Sequence, residues 1–67
     1  MADACPITVG EVYIEHTKRF DVRHTATATM RDAKRGWLVH FDTDGPFPIW
    51  HHVDGILCRM EKEKPVP

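Results

Sequence analysis

Phe20-Asp21-Val22-Arg23-His24-Thr25-Ala26-Thr27-Ala28-Thr29-Met30 is the stretch that decides the fold of this chain. Its even positions are apolar except for His24, and its odd positions hold Asp21, Arg23, Thr25, Thr27 and Thr29. A period of two marks a strand with one buried face. The threonines reinforce that reading, because a β-branched side chain packs well on a pleated surface and loses freedom in a helix. The expected strand turns Phe20, Val22, Ala26, Ala28 and Met30 inward and a threonine face to water. An α+β fold with a helix over Thr25 to Arg35 is the weaker alternative.

Upstream, Val12 and Ile14 alternate with Glu11, Tyr13 and Glu15 as a first strand, and Gly10 falls where the parity of Ile7 and Val9 changes, a place suited to a bulge. His16 to Arg19 is short enough for a hairpin connection. Downstream, Asp32 to Gly36 is a charged turn, Trp37 to Phe41 a third strand, and Thr43-Asp44-Gly45-Pro46 a strong turn. A fourth strand is expected from about Ile49 to Val53. Asp54-Gly55 then marks a tight turn or one 3₁₀ turn before a last strand in which Ile56, Cys58 and Met60 alternate with Leu57, Arg59 and Glu61. Residues 5–61 form one domain, and residues 62–67 read as a frayed charged tail.

At 67 residues the chain makes one domain with a small core, which argues against a deep, walled active site. The apolar share of 42% and charged share of 28% belong to a folded globular protein. A net charge of -1 excludes a chain-wide attraction to nucleic acid or an anionic membrane, so binding of that kind needs a local patch. No long apolar run or signal-like leader is present, and a cytoplasmic location is expected, with no membrane partner. Cys5 and Cys58 form no C-x-x-C pair and read as free thiols. Five strands without a helix to cover them bury their apolar faces best by curling together. The expected architecture is therefore all-β, a small five-stranded SH3-like partly open barrel, with an OB-like barrel as runner-up.

Gly36-Trp37-Leu38-Val39-His40-Phe41-Asp42, followed by Ile49-Trp50, Val53 and Leu57, resembles the central hairpin of SH3-like barrels of the Tudor and chromo-barrel type, over roughly Gly36 to Leu57. The resemblance implies a barrel that recognises peptides, in many members by an aromatic cage around a methylated cation. Tyr13, Phe41 and Trp50 are the residues it would assign to such a cage. His51 stands where an acidic residue usually follows the fourth-strand Trp.

Parity in the central hairpin sorts its two faces. With Trp37, Val39 and Phe41 inward, alongside Ile49, His51 and Val53, the other face holds Leu38, His40, Trp50 and His52. A tryptophan between two histidines on an outer face suits a binding anchor, whereas the plainer reading has Trp50 covering a corner of the barrel. The expected partner-binding residues are Trp50, His40, His52, Tyr13 and Phe47, for a protein or peptide. The alternative is nucleic-acid binding through Lys18, Arg19, Arg23, Arg31, Lys34 and Arg35, at the ends and on the polar face of the second strand. No catalytic or cofactor motif is present; His40 and His52 could approach across strands with Asp42 or His24 as a third metal ligand, whereas adjacent His51 and His52 point to opposite faces and cannot chelate together. His24 on the apolar face reads as a satisfied core histidine. The expected protein is a non-catalytic interaction module, with weak homo-oligomerisation allowed. A metal-binding protein or a small enzyme assembled from several copies is the remoter reading.

Overall fold

The computed structural model describes residues 4–64. The threonine-rich segment forms one strand, β2 (Asp21–Asp32), long enough to serve two neighbours. Its first half pairs antiparallel with β1 (Val12–His16), from Val12 opposite Thr25 to His16 opposite Asp21. Its second half pairs with β3 (Gly36–Phe41), from Ala26 opposite Phe41 to Asp32 opposite Gly36. A 3₁₀ turn (Asp42–Asp44), the two-residue strand β4 (His51–His52), helix α1 (Val53–Arg59) and β5 (Met60–Lys62) complete the chain. The sheet order is β4-β3-β2-β1-β5, and the sheet curls into an all-β half-barrel, as the alternation implies.

A bulge in β2 produces the bend and changes which side chains face inward. Ala26 lies opposite Phe41 and Ala28 opposite His40, so Thr27 is the extra residue. Its hydroxyl donates to the His40 carbonyl at 3.0 Å. Beyond the bulge the inward phase passes to Thr29 and Arg31, opposite Val39 and Trp37, and Ala28 and Met30 join the outer face with His40 and Leu38. Strict alternation had placed Ala28 and Met30 inside. Phe20 is also corrected: it lies in the turn before β2 and is 65% exposed.

The core cluster is Ile7, Tyr13, Ala26, Val39, Phe41, Val53 and Ile56, with Cys5, Trp37 and Met60 packed against it. In β1 it is Tyr13, not Val12 or Ile14, that is fully buried, since the inner face also carries His24 opposite it and the ring brings the larger apolar area. Ile7 reaches the core from an irregular segment held by a turn at Thr8-Val9-Gly10-Glu11. There the Glu11 N–H donates to the Thr8 carbonyl (3.0 Å), and Gly10 takes the positive φ of 98° that this position of a tight turn requires. The Gly10 N–H then donates to the Ala26 carbonyl at 2.8 Å and the Ala26 N–H to the Glu11 carbonyl at 2.9 Å, so Gly10 and Glu11 together oppose Ala26 and the bulge expected at Gly10 is present.

The last third of the chain departs most from strand alternation. Val53 and Ile56 are three residues apart and both buried, a spacing that suits one face of a helix. Asp54 in the first turn and Arg59 in the last, whose Nε donates to the Gly55 carbonyl at 3.2 Å, complete the two turns of α1. The expected strand over Ile56 to Met60 therefore begins only at Met60. It also extends further than expected: Lys62 pairs with Tyr13, the Glu63 N–H donates to the Val12 carbonyl (2.9 Å), and Glu63 accepts from Arg23 at 2.7 Å. Lys62 thus belongs to β5, and Glu63 is held against β1 and β2 instead of lying in a frayed tail, while residues 65–67 lie outside the described part. No helix of the described residues is long and apolar enough to cross a membrane.

The core assignment carries a stability prediction. Phe41→Ala should destabilise the domain by about 3–5 kcal/mol in denaturant unfolding, as expected for removing a fully buried aromatic ring. Truncating exposed Phe20 to Ala should change the unfolding free energy by about 0.5 kcal/mol or less.

Candidate functional site

The chain between β3 and β4 builds a surface from main-chain turns. The Phe41 N–H donates to Asp44 Oδ2 (2.9 Å), which starts the 3₁₀ turn, and the Gly45 N–H donates to the Asp42 carbonyl (3.1 Å) with Gly45 at φ 66°. Phe47-Pro48-Ile49 then makes a three-residue γ-turn, the Ile49 N–H donating to the Phe47 carbonyl at 2.8 Å. The same carbonyl accepts from His40 Nε2 at 3.0 Å, while His40 Nδ1 lies 2.8 Å from the Thr27 hydroxyl. His40 therefore links the bulge in β2 to the loop that returns over the outer face.

Trp50 settles on that anchored histidine, with ring centroids 5.9 Å apart and planes inclined by 60°. His52 lies opposite Leu38 in the register, so by parity it shares the outer face with Leu38 and His40 and is exposed. Phe47 at 63% and Ile49 at 44% exposure stand beside Trp50 in the chain, and Met30, turned outward by the bulge, is exposed on the same face. His40, Trp50 and His52 thus fall on the face assigned to them by parity, with Phe47 on the loop that feeds it. Ile49, expected inside, is outside. Leu38, although on the outer face, is fully buried, so β3 is covered on both sides.

Tyr13 is not part of this surface. At 2% exposure it sits in the core with Phe41, away from Trp50, so these three aromatics do not converge on a cage. Phe41 is instead flanked by two histidines, His24 at 5.3 Å and His51 at 5.4 Å between ring centroids. His24 Nε2 donates to Glu15 (3.0 Å) and Nδ1 lies against the Thr43 hydroxyl, which satisfies both ring nitrogens as expected of a core histidine. His51 Nε2 donates to Asp44 at 3.0 Å. Burial pushes the Asp44 carboxyl up, but the His51 bond, the Phe41 N–H and the nearby charges of His51 and His40 outweigh it and hold it below its usual value. Among the described residues no group of three His, Cys, Asp or Glu side chains is arranged to hold a metal ion.

The six basic residues do not form one patch. Lys18 and Arg19 lie in the turn before β2 and Lys34 and Arg35 in the turn after it, ends that a twelve-residue strand separates by roughly 35 Å. Arg23 is paired with Glu63 and Arg35 with Asp32 (3.3 Å), and Arg31 lies opposite Trp37 on the other side of the bulge. Comparison with known proteins returned no match: no family model fits the chain, and neither a curated relative nor a similar solved structure was found.

Sequence reasoning missed Met30 and Ile49 as members of the outer face. The bulge that exposes Met30 has no composition of its own, but the prolines on either side of Phe47 are a legible sign that the segment entering β4 is not a strand.

A second histidine cluster, at the β1–β2 end of the sheet, is sensitive to pH. His16 Nδ1 lies 2.9 Å from Asp21 and Nε2 3.2 Å from Glu61, and only the imidazolium can donate to both. The bonds to Asp21 and then Glu61 raise its pKa above 6.5. Raised in the folded state, the group contributes stability that is fully present below its unfolded pKa and is lost as pH rises through the folded one. The ¹H–¹³C resonances of the His16 ring should titrate above the usual histidine range, and Glu61→Gln should bring the midpoint down. A His16 midpoint at or below 6.5 in the wild type would contradict the clasp.

Proposed function

We propose that this protein is a small non-catalytic interaction module on an SH3-like barrel, and that it binds a peptide segment of a protein partner on the outer face of β3 and β4. The strand order β4-β3-β2-β1-β5, with a helical connection before the last strand, supports the SH3-like reading. The observation that carries the functional reading is the position of Trp50. Its ring rests on His40, outside the core cluster, with Phe47 and Ile49 exposed beside it. A domain of this size has little apolar surface to spare, and exposed apolar residues grouped around an anchored aromatic ring fit a docking point for a partner's side chains.

Strand addition is the less suitable mode. β4 has two residues and follows Pro48 closely, and β5 has three, of which Glu61 and Lys62 are charged. Short, charged or proline-flanked edges disfavour pairing with another chain. The partner accordingly meets side chains, with an apolar residue against Trp50 and Phe47 and polar groups within reach of the exposed His52. The six basic residues of β2 and its turns do not share one surface, because they lie towards opposite ends of the strand and Arg23 and Arg35 are paired.

The test is a peptide library displayed on phage and selected against the wild-type domain, with the recovered peptides measured against Trp50→Ala. Binding should weaken by about 2 kcal/mol or more, roughly thirtyfold, while the variant keeps a cooperative unfolding transition. Recovered peptides that bind Trp50→Ala unchanged would place the docking point elsewhere. Loss of the folded state in the variant would assign Trp50 to packing.

A further inference from the structure

The turn between β1 and β2 is braced by a side chain and carries an exposed aromatic ring directly after two cations. Two-residue hairpin loops usually need positive φ at their central residues, yet no described non-glycine residue has one. Thr17 supplies another closure around Lys18 and Arg19. The Thr17 N–H donates to the Phe20 carbonyl (3.1 Å), the Phe20 N–H donates to Thr17 Oγ1 (3.1 Å), and the Thr17 hydroxyl donates back to the Phe20 carbonyl. The turn is thus ordered before any partner arrives, which lowers the entropic cost of binding there.

Phe20, directly after the loop, is the most exposed of the large apolar side chains described. The two residues before it, Lys18 and Arg19, are cationic. Arg23, Arg35 and Lys62 are matched by Glu63, Asp32 and Glu11, whereas Lys18 and Arg19 have no ion pair among the described residues. Asp21, which follows Phe20, and Glu61 on β5 are both bonded to His16, at 2.9 and 3.2 Å. An exposed ring beside two unmatched cations on a pre-formed turn fits a ligand that is both planar and anionic.

We infer that the β1–β2 turn is a contact element for single-stranded nucleic acid, with Phe20 stacking on a base and Lys18 and Arg19 meeting the adjacent phosphates. One base offers a full stacking face to one ring, and such stacking tolerates any sequence. An anionic bilayer suits the turn less well, since interfacial anchoring needs more buried apolar area than one phenyl ring on a two-residue loop provides. This element is separate from the Trp50 face and does not depend on it.

Fluorescence anisotropy of a labelled oligothymidylate of about 12 nucleotides, titrated with the full chain at low salt, tests the assignment. Two phosphate contacts predict a slope of about -1.4 in log K against log salt concentration, and replacing both Lys18 and Arg19 by Gln should bring it close to zero. Phe20→Ala should weaken binding about tenfold, as loss of a stacked base does, and Phe20→Trp should restore it. Both Phe20 variants should retain the wild-type unfolding midpoint, and Trp50→Ala should bind the oligonucleotide as the wild type does. No binding, binding unaffected by Phe20→Ala, or Phe20-dependent binding to phosphatidylserine vesicles in place of the oligonucleotide would overturn the inference.

Discussion

One residue too many in β2 sets the geometry on which the remaining parts rely. A twelve-residue strand that stayed in phase would present a flat surface, and a flat sheet of five short strands has nothing to bury its apolar face against. With Thr27 left out of the ladder, β2 bends, its first half continuing with β1 and its second with β3, so that the inner face closes over Ala26, Val39 and Phe41. The bulge also fixes the outer surface. The Thr27 hydroxyl meets both the ring and the carbonyl of His40, and that ring reaches the Phe47 carbonyl and supports Trp50. Curvature inside and the aromatic surface outside are therefore two results of the same irregularity.

A core this small must end somewhere without a second apolar layer, and around Phe41 it ends in imidazole rings. His24 and His51 approach the phenyl ring at 5.3 and 5.4 Å and direct ring nitrogens to Glu15 and Asp44. Each histidine has an apolar body and a polar rim, so it can cover an aromatic side chain while its nitrogens are satisfied by carboxylates. Both pairs are part-buried. The position of these is what counts: they join β2 to β1, and β4 to the 3₁₀ turn, at the end of the barrel where the hydrogen-bond ladder between β3 and β4 has only two residue pairs.

The alternation of residues was enough to reveal five strands, their order along the chain and the closure of the sheet on itself, because period-two patterning depends on local geometry alone. The faces were legible only where the phase was unbroken. In β3 the parity of Trp37, Val39 and Phe41 places His40 outside correctly, and with it Trp50 and His52. In β2 the parity fails at Thr27, since a bulge depends on a partner strand that a single segment cannot reveal. Val53 to Arg59 was ambiguous for a different reason. Apolar residues at Val53, Ile56, Leu57 and Met60 satisfy helical spacing, while Ile56, Cys58 and Met60 satisfy alternation, and a seven-residue segment is too short for the pattern to choose. Burial of Val53 and Ile56 against the core decided in favour of the helix. Tyr13 shows the same limit: its flanking valine and isoleucine look like the inward set until the larger ring is seen opposite His24.

Threonine has a second use here beyond β-propensity. At Thr27 and Thr17 the chain departs from regular pairing, once by an inserted residue and once by a two-residue loop without positive φ, and each departure leaves main-chain groups in need of partners. In both places the threonine hydroxyl fills the gap, bonding the His40 carbonyl in one and the Phe20 N–H and carbonyl in the other. A hydroxyl can both donate and accept, which suits positions where the ladder is broken. Both aromatic features at the surface, the half-buried Trp50 on His40 and the exposed Phe20 after Arg19, are adjacent to such repairs. The short and charged edges limit growth of the sheet, and the sites of irregular backbone are where aromatic rings reach solvent in fixed positions. The parts of this fold best suited to contact another molecule are therefore the places where the strand pattern is interrupted and then locally stabilised.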